Sequence, residues 1–154
     1  MPWQLEIISG GQTGVDRGAL DAALEVGAKC GGWCPEGRAA EDGPIPDRYP
    51  LTELAGGGYP ERTRKNVEDS DGTLVLHFGP LSAGTLFTLQ VCEELLRPVC
   101  LIDGNDTSPV DGAAKARDFV TENDIRRLNV AGPRASHCAW AHDYSRDVIR
   151  GLLA

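Results

Sequence analysis

The chain has 154 residues, a length typical of one domain, so we predict a single domain over residues 1–154. The net charge of −8 argues against nucleic acid as a partner, because nucleic-acid binders present a basic face. The sequence has no apolar run of the roughly 18 residues that a membrane helix needs. It also begins without the basic and apolar regions of a signal peptide. We therefore expect a cytoplasmic protein that does not bind membranes.

Short apolar runs alternate with helical patterns in the first part of the chain. The run Leu5–Ser9 predicts a strand, and residues 16–26 predict a helix that ends at Gly27. A weaker strand is predicted over residues 29–33. Residues 34–54, called the long loop below, contain four prolines and no clear period. We interpret this segment as an ordered loop packed through its hydrophobic side chains, with a disordered insert as the alternative.

The second half of the chain continues this alternation. Helices are predicted over residues 60–69, 86–96, 110–123 and 139–153, and strands over 72–78, 98–102 and 127–131. Strands that alternate with helices indicate parallel βαβ units with helices on both faces of the sheet. The sequence therefore predicts an α/β fold, a Rossmann-like doubly wound parallel sheet of about five strands. The expected order 2-1-3-4-5 places the first and third strands side by side.

Two glycine-rich turns carry the main functional signal. The first glycine turn (residues 9–14) follows the first strand, and the second glycine turn (residues 79–85) follows the third. With the helix starts behind them, they supply the candidate ligand-binding residues Gly10, Gly11, Gln12, Thr13, Gly14, Asp16, Gly79, Ser82, Gly84, Thr85 and Thr88. Backbone N–H groups at a helix start favour an anion, and both turns would open into one crevice at the switch point. The pattern predicts a phosphate or other oxyanion ligand.

Charged side chains outside these turns are further candidates. Arg62, followed by Thr63 and Asn66, could clamp a phosphate, although a solvated helix face explains the same segment. Arg38 in the long loop could neutralise charge in the same way. The neighbouring carboxylates Glu41 and Asp42 are candidates for acid–base chemistry, with turn formation as the alternative.

The cysteines and histidines do not predict a metal site. Cys30 and Cys34 have no matching second pair, and His137, Cys138 and His142 lie far downstream. This spacing is unlike that of a structural zinc site. We therefore predict no intrinsic metal.

The sequence resembles the molybdenum carrier family in several motifs. They are Gly10–Asp21, Gly32–Arg38 with Ala40–Pro46, Tyr49–Leu51, Arg62–Val67, Asp69–Thr73 and Gly79–Thr88. The resemblance implies a Rossmann-like fold related to the lysine-decarboxylase-like and DNA-processing-protein group. It also implies binding of molybdenum cofactor, a phosphate-bearing molybdopterin, as cargo, and assembly into homodimers or homotetramers. We therefore expect a carrier of a phosphate-bearing ligand.

A related group, the cytokinin-activating phosphoribohydrolases, suggests two alternatives. Its motif Pro-Gly-Gly-x-Gly-Thr-x-x-Glu is similar to the segment 79–88, but Thr88 stands at the position of the glutamate. A threonine cannot supply the carboxylate, so Glu41 or Asp42 would have to do so from a long loop folded over the crevice. A nucleotide-binding sensor or a nucleotide N-glycoside hydrolase therefore remains an alternative to a carrier.

Overall fold

The computed structural model describes residues 4–154 and has an α/β architecture. Its strands are β1 (Glu6–Ile8), β2 (Cys30–Gly31), β3 (Trp33–Pro35), β4 (Thr52–Leu54), β5 (Gly72–His77), β6 (Val99–Asp103) and β7 (Arg127–Ala131). Its helices are α1 (Val15–Val26), α2 (Tyr59–Glu68), α3 (Ala83–Glu94), α4 (Pro109–Glu122) and α5 (Ala141–Leu153). Five strands form one parallel sheet in the order β2-β1-β7-β5-β6, which confirms the predicted Rossmann-like fold.

The helices pack in two groups. The larger hydrophobic core joins α1, α4 and α5 to strand residues such as Leu74 and Leu76 of β5. A smaller cluster joins α2 and α3 through Val67, Val91 and Cys92. Because successive strand residues point to opposite faces, β5 contributes a different set of side chains to each layer. None of the helices in residues 4–154 is long and apolar enough to cross a membrane.

The predicted strand order was wrong at the centre of the sheet. The last strand, β7, pairs with both β1 and β5, so the first and third predicted strands are not neighbours. A central strand is buried on both faces and usually reads as a continuous apolar run. In β7 that run is interrupted by Asn129, which is buried and whose Nδ2 donates to Thr73 Oγ1 at 3.2 Å. Because this buried polar residue interrupts the apolar run, the hydrophobic pattern does not indicate that β7 is a central strand.

The predicted strand over residues 29–33 is two strands. Gly32, with a φ of 135°, separates β2 from β3, and a Cβ at this position would collide with the backbone of Ser9. Strand β3 leaves the main sheet and pairs in parallel with β4, which lies inside the long loop and was not predicted. The two short strands form a second sheet beside the first.

The rest of the long loop is held by specific contacts. Arg38 donates hydrogen bonds to the carbonyl groups of Ile45, Pro46, Tyr49 and Leu51. Ile45 and Tyr49 are buried and pack against Leu20 of α1. These contacts agree with the interpretation of an ordered loop, although Arg38 serves as its internal hydrogen-bond donor.

Candidate functional site

A cavity of about 460 Å³ lies where β1, β5 and β7 end. Its wall consists of Gln12 of the first glycine turn, Asp16 of α1, residues 82–85 of the second glycine turn, residues near the starts of α2 and α3, and residues from the end of β7 to His137. In parallel sheets, ligands bind at the carboxyl ends of the strands, and ligand pockets are typically about 300–1,000 Å³. The second turn therefore lines this cavity, whereas the first turn reaches it only through Gln12.

The N–H groups of the first glycine turn already have acceptors within the protein. The backbone N–H of Gly11 donates to Ser9 Oγ at 3.2 Å, and that of Gln12 donates to Asp16 Oδ2 at 3.2 Å. The N–H of Thr13 donates to Gln12 Oε1 at 3.0 Å. A ligand that used these three donors would have to displace the protein's own acceptors, a buried carboxylate among them.

The glycines of the first turn allow other parts of the chain to approach its backbone closely. A Cβ at Gly10 would overlap the guanidinium group of Arg62. Gly11, with a φ of 79°, is covered by side chains of the long loop, and Gly14, with a φ of 82°, lies against the carbonyl oxygen of Pro133. Each glycine is thus required by a close contact within the fold.

The second glycine turn leads into a helix start that faces the cavity. Ser82 caps α3, since its Oγ accepts the N–H of Thr85 at 3.3 Å, and the Thr88 hydroxyl donates to the Gly84 carbonyl at 3.1 Å. Gly84 is exposed, and a Cβ at this position would meet no atom within 4 Å. The first turn of α3 therefore offers backbone N–H groups and the positive end of the helix dipole to an anion.

A hydrogen bond to the end of the neighbouring strand β6 holds the loop that precedes α3. Gly79 has a φ of 84°, and its N–H donates to Asp103 Oδ1 at 3.1 Å. The same oxygen accepts the N–H of Asn105, and these bonds hold the pKa of Asp103 below its usual range. Gly79 thus shapes the turn, while Ser82, Gly84, Thr85 and Thr88 line the cavity.

Two arginines and an aromatic ring line another part of the cavity. Arg62 Nη1 lies 3.1 Å from Asp16 Oδ2, and the two side chains are 12% and 9% exposed. The Cζ atoms of Arg62 and Arg134 lie 5.5 Å and 5.6 Å from the centre of the Tyr59 ring. Burial raises the pKa of Asp16, whereas the charge of Arg62 acts in the opposite direction. Asp16 is the sole carboxylate among the described lining residues, so arginines outnumber carboxylates there.

Two donors at the cavity have no acceptor within residues 4–154. They are Nε2 of Gln12 and Nε of Arg62, both on residues that line the cavity. Buried polar groups are paired in the great majority of proteins, so each exception calls for an explanation. Both nitrogens are themselves buried, so they are unpaired donors within the wall of the cavity.

Nine of the predicted site residues lie outside the cavity lining: the turn residues Gly10, Gly11, Thr13, Gly14 and Gly79, and four residues with polar or charged side chains. Two of them, Arg38 and Asn66, hold structure together: the Asn66 side chain accepts the N–H of Trp33 at 2.8 Å and donates to its carbonyl at 2.9 Å. These bonds join α2 to β3. Thr63, from the same predicted segment, does line the cavity, beside Arg62.

The other two, Glu41 and Asp42, attach the long loop to its neighbours. Asp42 accepts two hydrogen bonds from Arg17, at 2.5 Å and 2.7 Å. Glu41 accepts the Thr13 hydroxyl and, at 2.6 Å, the Ser136 hydroxyl. These bonds lower the pKa of both carboxyl groups. Both carboxylates are thus held in hydrogen bonds away from the cavity lining.

Three polar residues of the cavity wall were not predicted from the sequence, two that follow β7 and one at the start of α2. Arg134, His137 and Tyr59 all line the cavity. A signal existed for two of them, because Gly132-Pro133-Arg134 directly follows a predicted strand. Once β7 is placed at the centre of the sheet, the carboxyl-end rule points to this segment. Within residues 4–154 there is no group of three histidine, cysteine or acidic side chains that could hold a metal ion.

The parallel sheet with a cavity at its carboxyl edge places the chain among the Rossmann-like α/β proteins. More particularly, the chain belongs to the circularly permutated YpsA SLOG family, whose model matches residues 7–153. A permuted connectivity agrees with the position of the last strand, β7, in the middle of the sheet.

A solved structure supports the same grouping. The chain is similar to a protein from Syntrophus aciditrophicus SB that is named "putative molybdenum carrier protein" and was solved at 1.45 Å resolution. The two share 41% sequence identity with a TM-score of 0.93, over 97% of this chain and 94% of the other. The resemblance seen in the sequence motifs is thereby confirmed. A comparison with curated proteins finds no match.

Proposed function

We propose that this chain is a cytoplasmic carrier that binds a phosphate-bearing ligand in the cavity, and that its cargo is molybdenum cofactor. The observation that carries the proposal is the first turn of α3, which opens into the cavity at Gly84. The name of the similar Syntrophus protein supports molybdenum as part of the cargo.

The charges around the cavity support an anionic ligand. Although the chain carries a net charge of −8, the described charged residues lining the cavity are Asp16, Arg62 and Arg134, with His137 beside them. Arginine binds phosphate through charge-assisted hydrogen bonds, and a helix N-terminus favours negative charge. The Tyr59 ring lies near both arginines and lines the cavity, so it adds an aromatic surface for an organic ring of the ligand.

Calorimetric titration with molybdopterin, AMP and inorganic phosphate tests the proposal. Replacement of Arg134 by Ala should weaken binding of the tightest of these ligands about tenfold, since a hydrogen bond to a charged group contributes about 1.5–3 kcal/mol. The matched control is Arg126→Ala, because Arg126 lines a smaller cavity at the opposite edge of the sheet. The absence of binding by all three ligands would refute the proposed function.

Self-association is a further part of the proposal. The family resemblance supports a homodimer or homotetramer. Sedimentation at several protein concentrations measures the mass directly, and a monomer at all of them would remove this part while leaving the ligand proposal intact.

A hydrolytic activity is a second candidate and rests on Asp16. This carboxylate lines the cavity and has a raised pKa, whereas Glu41 and Asp42 lie outside the lining. A carboxyl group of this kind could give a proton to a leaving nucleobase. Release of free base from a panel of nucleoside monophosphates, lost in Asp16→Asn, would replace the carrier proposal. Binding without release favours a carrier or a sensor.

A further inference from the structure

The two oxygens of the Asp16 carboxylate have different surroundings. Oδ2 accepts the backbone N–H of Gln12 at 3.2 Å and Nη1 of Arg62 at 3.1 Å. Oδ1 receives no hydrogen bond from the residues that the structure describes, although the side chain is only 9% exposed. Oδ1 is not among the buried unpaired atoms, and Asp16 lines the cavity, so this oxygen is accessible to a bound ligand.

A bare oxyanion does not suit this oxygen. Two negative charges at hydrogen-bond distance repel each other, and Arg62 already pairs with the other oxygen of Asp16. A carboxylate oxygen accepts N–H or O–H donors, and such charge-assisted hydrogen bonds are stronger than neutral ones. Asp16 therefore favours a ligand with a donor group near its position.

The Gln12 side chain offers the complementary group. Its Oε1 accepts the backbone N–H groups of Thr13 at 3.0 Å and Glu41 at 2.9 Å, which fixes the orientation of the amide. The remaining Nε2 is a donor without an acceptor in residues 4–154, on a side chain that is 6% exposed and lines the cavity. The backbone N–H of Gln12 donates to Asp16 Oδ2, so the residue with the unpaired donor and the residue with the unpaired acceptor are in contact through the backbone of the turn.

We propose that Asp16 and Gln12 form a polar subsite for the organic part of the ligand, which recognises an N–H or O–H donor beside a hydrogen-bond acceptor. The subsite rests on the proposed function and narrows its ligand class. The cavity selects a phosphate ester that carries such a donor and acceptor, and it discriminates against inorganic phosphate and molybdate. Asp16 is thereby the residue that determines specificity, and the first turn of α3 with Arg134 holds the anionic group.

The variant Asp16→Asn tests this subsite, because it should change the affinities for two kinds of ligand in different directions. Calorimetry at neutral pH should show about a tenfold loss of affinity for GMP or molybdopterin, which is the loss of one charge-assisted hydrogen bond. Affinity for inorganic phosphate should stay the same or rise, because a like charge has been removed. The control is Asp118→Asn, an exposed position on α4 that should change neither value. An equal loss for both probes would show that Asp16 only supports the turn, and would overturn the proposal.

A ligand series on the unchanged protein avoids any folding defect of the variant. Methyl phosphate, which has no donor on its organic part, should bind no better than inorganic phosphate. Ribose 5-phosphate and GMP should bind at least tenfold more tightly, and the difference between them separates sugar hydroxyls from ring N–H groups. Equal affinity for methyl phosphate and GMP would overturn the subsite alone. If no phosphate compound binds, the proposed function itself fails.

Discussion

The two glycine turns look alike in sequence but differ in what their N–H groups do. In the first turn, three successive N–H groups donate to the side chains of Ser9, Gln12 and Asp16. Other parts of the chain occupy the space beside its glycines, where a Cβ would otherwise lie. In the second, Gly84 borders open space at the start of α3. The proposed anion site therefore lies at the second turn, where the helix start borders open space.

A pair of glycine variants, one in each turn, should show the largest difference in stability. Gly14→Ala should lower the free energy of unfolding by about 3 kcal/mol, because it adds left-handed strain and a contact with the Pro133 carbonyl. Gly84→Ala should change it by less than about 1 kcal/mol, since the added Cβ meets no atom. Urea denaturation measures both, and equal losses would contradict the contrast between the turns.

A charge at Gly84 should separate binding from stability. Gly84→Asp places a carboxylate in the first turn of α3, which the helix dipole tolerates or favours by about 0.3–1 kcal/mol. The same carboxylate should repel the ligand's anionic group and reduce affinity about tenfold or more. Thermal unfolding with calorimetric titration of molybdopterin tests this. Undiminished affinity would place the anion elsewhere in the cavity.

Two serine caps provide a smaller and closely matched test. Ser82 caps α3 at the cavity, and Ser108 caps α4, where its Oγ accepts the N–H of Asp111 at 3.1 Å. Replacing either serine by Ala should cost about 1 kcal/mol of stability. Only Ser82→Ala should also weaken ligand binding, since Ser82 lines the cavity. The same loss of affinity in both variants would point to general stability and away from a local role.

The smallest effect concerns the long loop in acid. Hydrogen bonds from Ser136 and Thr13 favour the ionised form of Glu41 and lower its pKa. Hydrogen bonds from Arg17 lower the pKa of Asp42 in the same way. Their contribution to stability is therefore present above the ordinary carboxyl pKa of about 4 and is lost as the pH falls through the lowered values. Hydrogen exchange of the long loop should accelerate in that range. In the variant Glu41→Gln, amide hydrogens of the long loop should exchange faster at neutral pH, and their exchange rate should rise less as the pH falls. If the rate rises as much as in the unchanged protein, Glu41 is not the cause.

Periodicity alone predicted the alternation of strands and helices and hence the fold. It did not predict the strand order, because Asn129 interrupts the apolar pattern of the central β7 and the pairing depends on contacts remote in sequence. Strand β4 was missed because its residues Thr52 to Leu54 are mostly exposed and pair only with the short β3. Local patterns describe an element well when its burial is regular and poorly when a tertiary contact defines it.

The sequence predicted those cavity residues that are adjacent in the chain, because residues of one turn lie close together. Ser82, Gly84 and Thr85 line the cavity together, as adjacent residues of one helix start must. Arg38 was a plausible phosphate ligand by residue type, but its partners are carbonyl groups of its own loop. Arg134 lies more than 100 positions from the first glycine turn, and only the order of the sheet brings it to the cavity.

A crystal structure of the protein with a bound phosphate ester would locate the anionic group. We expect the phosphate oxygens to accept hydrogen bonds from the Gly84 N–H at the start of α3 and from Arg134. A phosphate held instead by the N–H groups of Gly11 and Thr13, with the Asp16 carboxylate displaced, would contradict this expectation.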